Sequence, residues 1–429
     1  MREIMVLSTQ PYKGTRDFYP QDKRLQKWMF DKMREVVESF GYQEYDAPVL
    51  EPIDIFLAKT GEEIIDEQLY SFEDRGGRQV AIRPEMTPSV SRMVAARRQE
   101  LAYPLRWYSI PNLWRYERPQ RGRLREHWQL NVDIFGVADI SADHEIILVA
   151  DSILRAFNAP NGSYEIRISS RQLVDYFFRN ILQLSDQQYH DASKLIDRWH
   201  KIEIPDFETQ LKEIVDGRGQ ERLLKLIRTR NLDDLLSEVK GHDSVTELKK
   251  LMSLLKKSGV EAATFDFSVI RGMDYYDDII FEVFDTSPQN NRSMFGGGRY
   301  DGLVGAFGVE PVPTVGFGMG DVTLQNFLEL HKLLPKLKSE TDAVVILIGG
   351  VYDAAQKVLS TMRAKGLRIA VDGTDRKLDA KIKNAAKSGM KYAIFIGEQE
   401  IKTGKFKLKN LESGDEKNLG IEEVVTEIS

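Results

Sequence analysis

Residues 21–40, QDKRLQKWMFDKMREVVESF, set Leu25, Trp28, Met29, Met33, Val36, Val37 and Phe40 at helical spacing. That pattern predicts an amphipathic helix with one apolar face, closed by Gly41 as the residue after its C-cap. YQEYDAPVLE (42–51) reads as a strand interrupted by Pro48, which a strand edge tolerates. Between 105 and 135 two β-like arms, RWYSIPNLW and HWQLNVDIF, flank the basic run RYERPQRGRLRE and predict a long hairpin. In the second arm Leu130, Val132 and Ile134 alternate with Gln129, Asn131 and Asp133, so the two sets face opposite sides of a sheet. From 171 to 258 leucine, lysine and glutamate recur at helical period, which marks an inserted helical domain. Strand texture returns at Phe265, passes through FGGGRYDGLVGAFG, and ends in TVGFGMGDVTLQNFLELHK, a glycine-rich strand running into a helix. HKLLPKLKSE (331–340) reads as a linker. Beyond it DAVVILIGG, LRIAVDG and MKYAIFIGE alternate with two helical stretches, a β-α-β-α-β pattern that predicts a small α/β domain. The expected divisions are 1–170, 171–258, 259–330 and 341–429, the first and third belonging to one sheet-bearing domain.

Composition narrows the chemistry. The 429 residues are 42% hydrophobic and 29% charged, as expected of a soluble globular chain of two or three domains. With no cysteine there is no disulfide, thiolate metal site or cysteine nucleophile. None of the six histidines pair at i, i+4 as zinc ligands would. MREIMVLSTQ is too short and polar for a signal segment, and no apolar run approaches the ~20 residues of a membrane span. A cytoplasmic location without membrane association is therefore expected. The net charge of −6 argues against indiscriminate nucleic-acid binding, but residues 357–409 carry 14 Lys and Arg against 5 Asp and Glu. A basic surplus confined to one small domain fits a polyanion partner.

Several stretches carry chemistry. Arg115, Arg118, Arg121, Arg123 and Arg125 fall within eleven residues at the hairpin tip, against one acid, Glu117. Guanidinium forks suit phosphate oxygens. The polar face of the second arm, with Gln129 and Asp133, faces either solvent or a ligand. In IRPEMTPS (82–89) a carboxylate, Glu85, lies beside a hydroxyl, Thr87, a pairing that an ammonium group would suit; the same stretch also reads as an ordinary turn. FSVIRGMDYYDDIIFEVFD (267–285) places an arginine, a glycine and adjacent tyrosines in what a buried strand would leave apolar. The glycines of FGGGRYDGL lack the helix and following acid of a dinucleotide fingerprint, and there is no P-loop. Any ATP used here lies on an antiparallel sheet.

GTRDFYP (14–20), RPEMTPS (83–89), WRYERPQRGRLREHWQLNVDIFG (114–136), IRGMDYYDDIIFE (270–282), GGGRYDGL (296–303) and TVGFGMG (314–320) occur in that order. Together they closely resemble the histidyl-tRNA synthetases, class II aminoacyl-tRNA synthetases, over nearly the whole chain. The resemblance implies an α+β fold: a class II antiparallel catalytic sheet of six or so strands flanked by helices, a helical insertion and a C-terminal α/β anticodon-binding domain. It implies a homodimer built around helix 21–40 and the Pro48 strand, with L-histidine, ATP carrying Mg2+, and tRNA(His) as partners. By resemblance Glu85, Thr87 and Gln129 take the α-amino group of histidine. Asp133 and Tyr276 address the imidazole nitrogens, and Tyr275 and Tyr300 line the pocket. Arg115 bridges the histidine carboxylate and the α-phosphate, Arg271 meets that phosphate from the other side, and Arg123 and Arg125 face the nucleotide. One departure stands out. The family usually carries an arginine at the position of Thr323, gripping the terminal phosphate. The rival readings are a regulatory paralogue without ligase activity, disfavoured by residues 341–429, and a catalytically silent tRNA-binding sensor, supported by Thr323 alone.

Overall fold

The computed structural model describes residues 7–57, 68–199, 202–270, 275–290 and 292–428. The chain forms two compact units, one ending at Leu334 and the other beginning at Pro335.

The strands of the first unit are β1 (Gln43–Glu44), β2 (Leu50–Pro52), β3 (Tyr70–Glu73), β4 (Gln79–Ile82), β5 (Leu105–Ser109), β6 (Asn112–Trp114), β7 (Glu126–Phe135), β8 (Tyr164–Ser170), β9 (Ala263–Phe265), β10 (Ile279–Asp285), β11 (Ser293–Arg299) and β12 (Thr314–Gly320). The main sheet runs β1, β5, β7, β12, β11, β10, β8, β9, with β6 also paired to β7. The strands from β5 to β8 pair antiparallel throughout, and only the outer β1 and β9 join parallel. This is the antiparallel sheet expected of the fold class. A separate three-stranded sheet has the order β2, β4, β3.

Helix Pro20–Ser39 starts with proline at its first position, where the missing N–H costs nothing. It ends before Gly41, whose φ of +84° a side chain would resist. Met29, Phe30, Met33 and Val37 enter the core, with Trp28, Val36 and Phe40 packed beside them. The expected strand over 42–51 is two strands in different sheets, β1 and β2. Pro48 falls at the break, because proline cannot donate to a ladder.

Helical structure over 171–257 comprises Arg171–Asp175, a π-turn at Tyr176–Ile181, and helices Asp186–Asp197, Ile204–Lys212, Gly217–Arg228, Ser237–Lys240 and Asp243–Lys257. Their apolar faces, including Phe177, Phe178, Leu223 and Leu251, join one continuous core with Ile166 and Ile168 of β8 and Phe281 of β10. Helix Asp321–Leu330 follows β12 directly.

The second unit has β13 (Ala343–Leu347), β14 (Ile369–Asp372), β15 (Tyr392–Ile396), β16 (Phe406–Asn410) and β17 (Glu416–Leu419), in the order β14, β13, β15, β16, β17. The first three are parallel, with helices Tyr352–Ala364 and Leu378–Lys387 as crossovers, as the sequence pattern predicts. The antiparallel β16 and β17 extend that sheet beyond the pattern. The basic surplus is smaller than its count. Lys365, Lys405, Lys407 and Lys409 pair with Glu422, Glu423 and Glu416, acids that lie after residue 409. Lys357, Arg376, Lys377, Lys383 and Lys387 remain exposed on and between the two crossover helices.

Candidate active site

An open cavity of about 1620 Å3 lies over β7, β12, β11 and β10. Its floor follows from strand alternation. Leu130, Val132 and Ile134 of β7 enter the core below, and Gln129, Asn131 and Asp133 project into the cavity. The neighbouring strand opposes them with glycine. Gly316 pairs with Asp133 and Gly318 with Asn131. A Cβ on Gly316 would lie 2.0 Å from Asp133 Oδ1, and one on Gly318 would lie 2.0 Å from Gln129 Nε2. Gly298 of β11 makes the same allowance for Tyr276, whose ring carbon Cδ1 would be 2.9 Å from an added Cβ. These glycines are required by close approach. The sequence reading assigned them no role, and only the strand register reveals one.

Three tyrosines wall one end. Tyr275 and Tyr276 lie 4.8 Å apart between ring centroids, and Tyr300 lies 5.5 Å from Tyr275 and 6.3 Å from Tyr276. Tyr300 donates its hydroxyl to Asp133 Oδ1. Burial pushes the Asp133 carboxyl up to about 7, and the Tyr300 hydrogen bond opposes this without overcoming it. Tyr275 donates to Glu85 Oε2 at 3.1 Å and reaches Thr87 Oγ1 at 3.4 Å. Its phenol is raised well above its usual range by burial and by the Glu85 charge. Gln129 donates its amide nitrogen to Asn131 Oδ1 at 2.8 Å, which leaves its carbonyl oxygen as an acceptor. Glu85, Thr87, Gln129, Asp133, Tyr275, Tyr276 and Tyr300 thus line one cavity. Arg83, which alternates with Glu85 in sequence, instead braces the fold through Asp46 and the Asn112 carbonyl.

The other end is cationic. Arg115 follows β6, and its Nε is fixed by the Pro84 carbonyl at 2.9 Å. Arg121 and Arg123 also line the cavity, Arg123 with Glu117 at 3.7 Å. Arg125 does not line it. Its guanidinium stacks 3.9 Å over Tyr116 and donates to the Glu117 carbonyl and to Tyr12. Long-range packing against Tyr12 and Gly14 turns it inward. Arg271 lies outside the described residues. His127, Arg292 and helix Asp186–Asp197, through Tyr189, His190 and Lys194, line the cavity without having been singled out in the sequence. His127 is pushed down to about 3 by burial and by Arg115 and Arg16. At Thr323 the hydroxyl donates to the Met294 carbonyl at 2.8 Å and to the Gly320 carbonyl at 3.1 Å. Asp321 does not line the cavity. Its carboxylate pairs with Arg16 at 2.7 Å and accepts the Trp128 N–H at 3.0 Å.

A cavity with a buried acceptor and tyrosines at one end and fixed guanidiniums at the other suits a small polar molecule joined to a phosphate. The comparisons agree. Residues 14–322 match the family model for histidyl-tRNA synthetase, and residues 342–429 match an anticodon binding domain. A histidine–tRNA ligase of Leptospira biflexa is 44% identical over 427 residues, 98% of each chain. One of Haloarcula marismortui is 35% identical over 411 residues, 94% of each chain. The fold matches the crystal structure of histidyl-tRNA synthetase from Nostoc sp. PCC 7120 at a TM-score of 0.82, with 22% identity and 99% of both chains covered. With matches that run the length of the chain and a cavity built from the motifs that carry the likeness, the chain belongs to the histidyl-tRNA synthetase family.

Proposed function

We propose that this chain ligates L-histidine to tRNA(His) through a histidyl-adenylate, releasing pyrophosphate and then AMP. The observation that carries the reading is the buried Asp133–Tyr300 pair, set over glycines at the end of the cavity opposite the arginines. A ligand ring with two nitrogens would satisfy Asp133 and Tyr276, and an analogue lacking them would leave a buried carboxyl unpaired. The histidine ammonium group has three protons, and Glu85, Thr87 and Gln129 supply three acceptors for it. Tyr275 and Tyr300 close the sides of the pocket.

At the other end Arg115 bridges the histidine carboxylate and the α-phosphate, and the family resemblance gives Arg271 a role on the same phosphate. The carboxylate oxygen attacks the α-phosphorus, and the bond to the bridging oxygen of pyrophosphate breaks. Such a step asks little covalent chemistry of the protein. Positioning and neutralisation of developing charge carry it. Among the described residues no cluster of three or more His, Asp or Glu side chains could hold a metal alone. Mg2+ would accompany the phosphates of ATP, neutralising part of their charge. The terminal ribose of tRNA then takes the histidyl group. Lys357, Arg376, Lys377 and Lys383 of the second unit offer charge to the anticodon arm. Val49, Leu50 and Phe72, exposed apolar side chains on the small sheet and its approach, support a homodimer. No described helix is long and apolar enough to cross a membrane, and a cytoplasmic site of action completes the reading.

ATP–pyrophosphate exchange, measured with each amino acid singly, tests the proposal. Histidine alone is expected to stimulate it. Stimulation by threonine, proline or glycine in its place would overturn the assignment.

A further inference from the structure

We propose that Arg292 holds the terminal phosphates of ATP in this chain, in place of the arginine that the family usually carries at Thr323. The inference rests on the nucleotide reading above and names a residue outside the motifs.

Four observations converge on it. First, Thr323 is unavailable as a phosphate donor, because its hydroxyl is already committed to two backbone carbonyls. One of these belongs to Met294, so the start of helix Asp321–Leu330 is fastened to β11, two residues from Arg292. Second, the hairpin tip reaches the same place. A methyl group on Gly122 would lie 3.7 Å from Thr323 Cγ2 and from Asn326 Nδ2. Arg292 itself donates to Gln120 Oε1 of that tip at 3.3 Å. The helix start, the tip and Arg292 thus border one corner of the cavity, and all three line it.

Third, the charge of Arg292 is available. Among the described residues its hydrogen-bond partner is the neutral Gln120 amide, whereas Arg123 faces Glu117 and Arg125 is packed inward. Fourth, the chain after β10 is tied down as far as Asn290, two residues before Arg292. Asp285 at the end of β10 accepts from the Ser287 N–H at 2.8 Å, from Asn290 Nδ2 at 3.1 Å, and pairs with His331 Nε2 at 2.9 Å. An arginine close to a braced segment loses less freedom on gripping a phosphate than one on a mobile loop. Arg121 is the rival cation, but it sits at the apex of the tight Gln120–Arg123 turn, whereas Arg292 directly precedes β11.

Binding of ATP and of AMP to the full-length chain, with pyrophosphate exchange read separately, tests this. Arg292→Ala is expected to weaken ATP by about ten- to a hundredfold, the size of one lost charge-assisted bond. It should leave AMP, which lacks the terminal phosphates, and the histidine KM unchanged. Arg292→Lys should recover part of the loss, and Thr323→Arg added to Arg292→Ala should recover most of it. Equal losses for ATP and AMP would reduce Arg292 to a structural residue and overturn the proposal. So would an unchanged ATP affinity, a loss carried by Arg121→Ala alone, or a wild-type chain that does not bind ATP. Absence of histidine-stimulated exchange in a chain that still binds ATP through Arg292 would overturn the function proposed above and leave this assignment standing.

Discussion

Replacing Asp133 with asparagine removes a charge while keeping the shape and an acceptor for Tyr300. Burial holds the Asp133 carboxyl at about 7 in the folded chain, against an ordinary 3.8. The folded state therefore keeps a proton that the unfolded state gives up between about pH 4 and pH 7. Where the unfolded state binds fewer protons, stability falls as pH rises. The displacement from 3.8 to about 7 corresponds to on the order of 4 kcal/mol, at about 1.4 kcal/mol per unit. The cavity is open to water, which makes this an upper figure. Denaturant unfolding without ligand should thus show the wild type losing ground to Asp133→Asn steadily from about pH 4 to about pH 7, with the two curves parallel above that.

Histidine binding should run in the opposite sense. A ring N–H is accepted more strongly by an ionised carboxylate than by a neutral amide. Wild-type affinity should fall as pH drops through about 7, and Asp133→Asn should be weaker at high pH by roughly 1–3 kcal/mol and keep only the dependence that the ligand itself brings. The ligand's own imidazole titrates near 6.5, but it does so for both proteins, so their difference isolates Asp133. Stability curves that stay parallel at every pH would show that the charge is already compensated. Equal histidine affinity across the range would remove Asp133 from the ring site.

The glycine floor and the second unit can be tested in the same assays. Gly316→Ala would put a carbon 2.0 Å from Asp133 Oδ1 and 2.7 Å from the Val132 carbonyl. It should lower kcat/KM for histidine by about a hundredfold through displacement of Asp133, and an unaffected value would mean the floor has slack. Ending the chain before Asp342 should leave pyrophosphate exchange intact while tRNA charging drops about tenfold or more, and charging by the full chain should weaken with added salt. Wild-type charging by the shortened chain would dismiss the second unit from tRNA binding.

Much of this was legible because local periodicity carries it. The alternation along β7 separated Gln129, Asn131 and Asp133 from the core-facing residues, and the 3.6-residue period placed Met29, Met33 and Val37. What stayed hidden depends on pairings between distant segments. The need for glycine at 316 and 318 arises only when β12 lies against β7 in this register. Arg125 looks identical in sequence to its neighbours, and contacts with Tyr12 and Gly14, more than a hundred residues away, help turn it inward. The basic surplus of 357–409 looked larger than it is because the glutamates that offset it arrive on the next strand and helix.

The two ends of the cavity also differ in their response to pH, and the difference follows from which residue types occupy each. At the end proposed for the phosphates the lining cations are Arg115, Arg121, Arg123 and Arg292, and a guanidinium is a pH-insensitive charge. His127, beside them, is held down to about 3 by burial and by Arg115 and Arg16. It stays neutral, where a charged imidazole would crowd two guanidiniums. At the opposite end Asp133 titrates at about 7, close to the ordinary value of the imidazole it is proposed to meet. Acidification should therefore weaken histidine recognition before it alters the grip on ATP. A KM for histidine that rises below neutrality while the KM for ATP stays level is the pattern this division of charges requires.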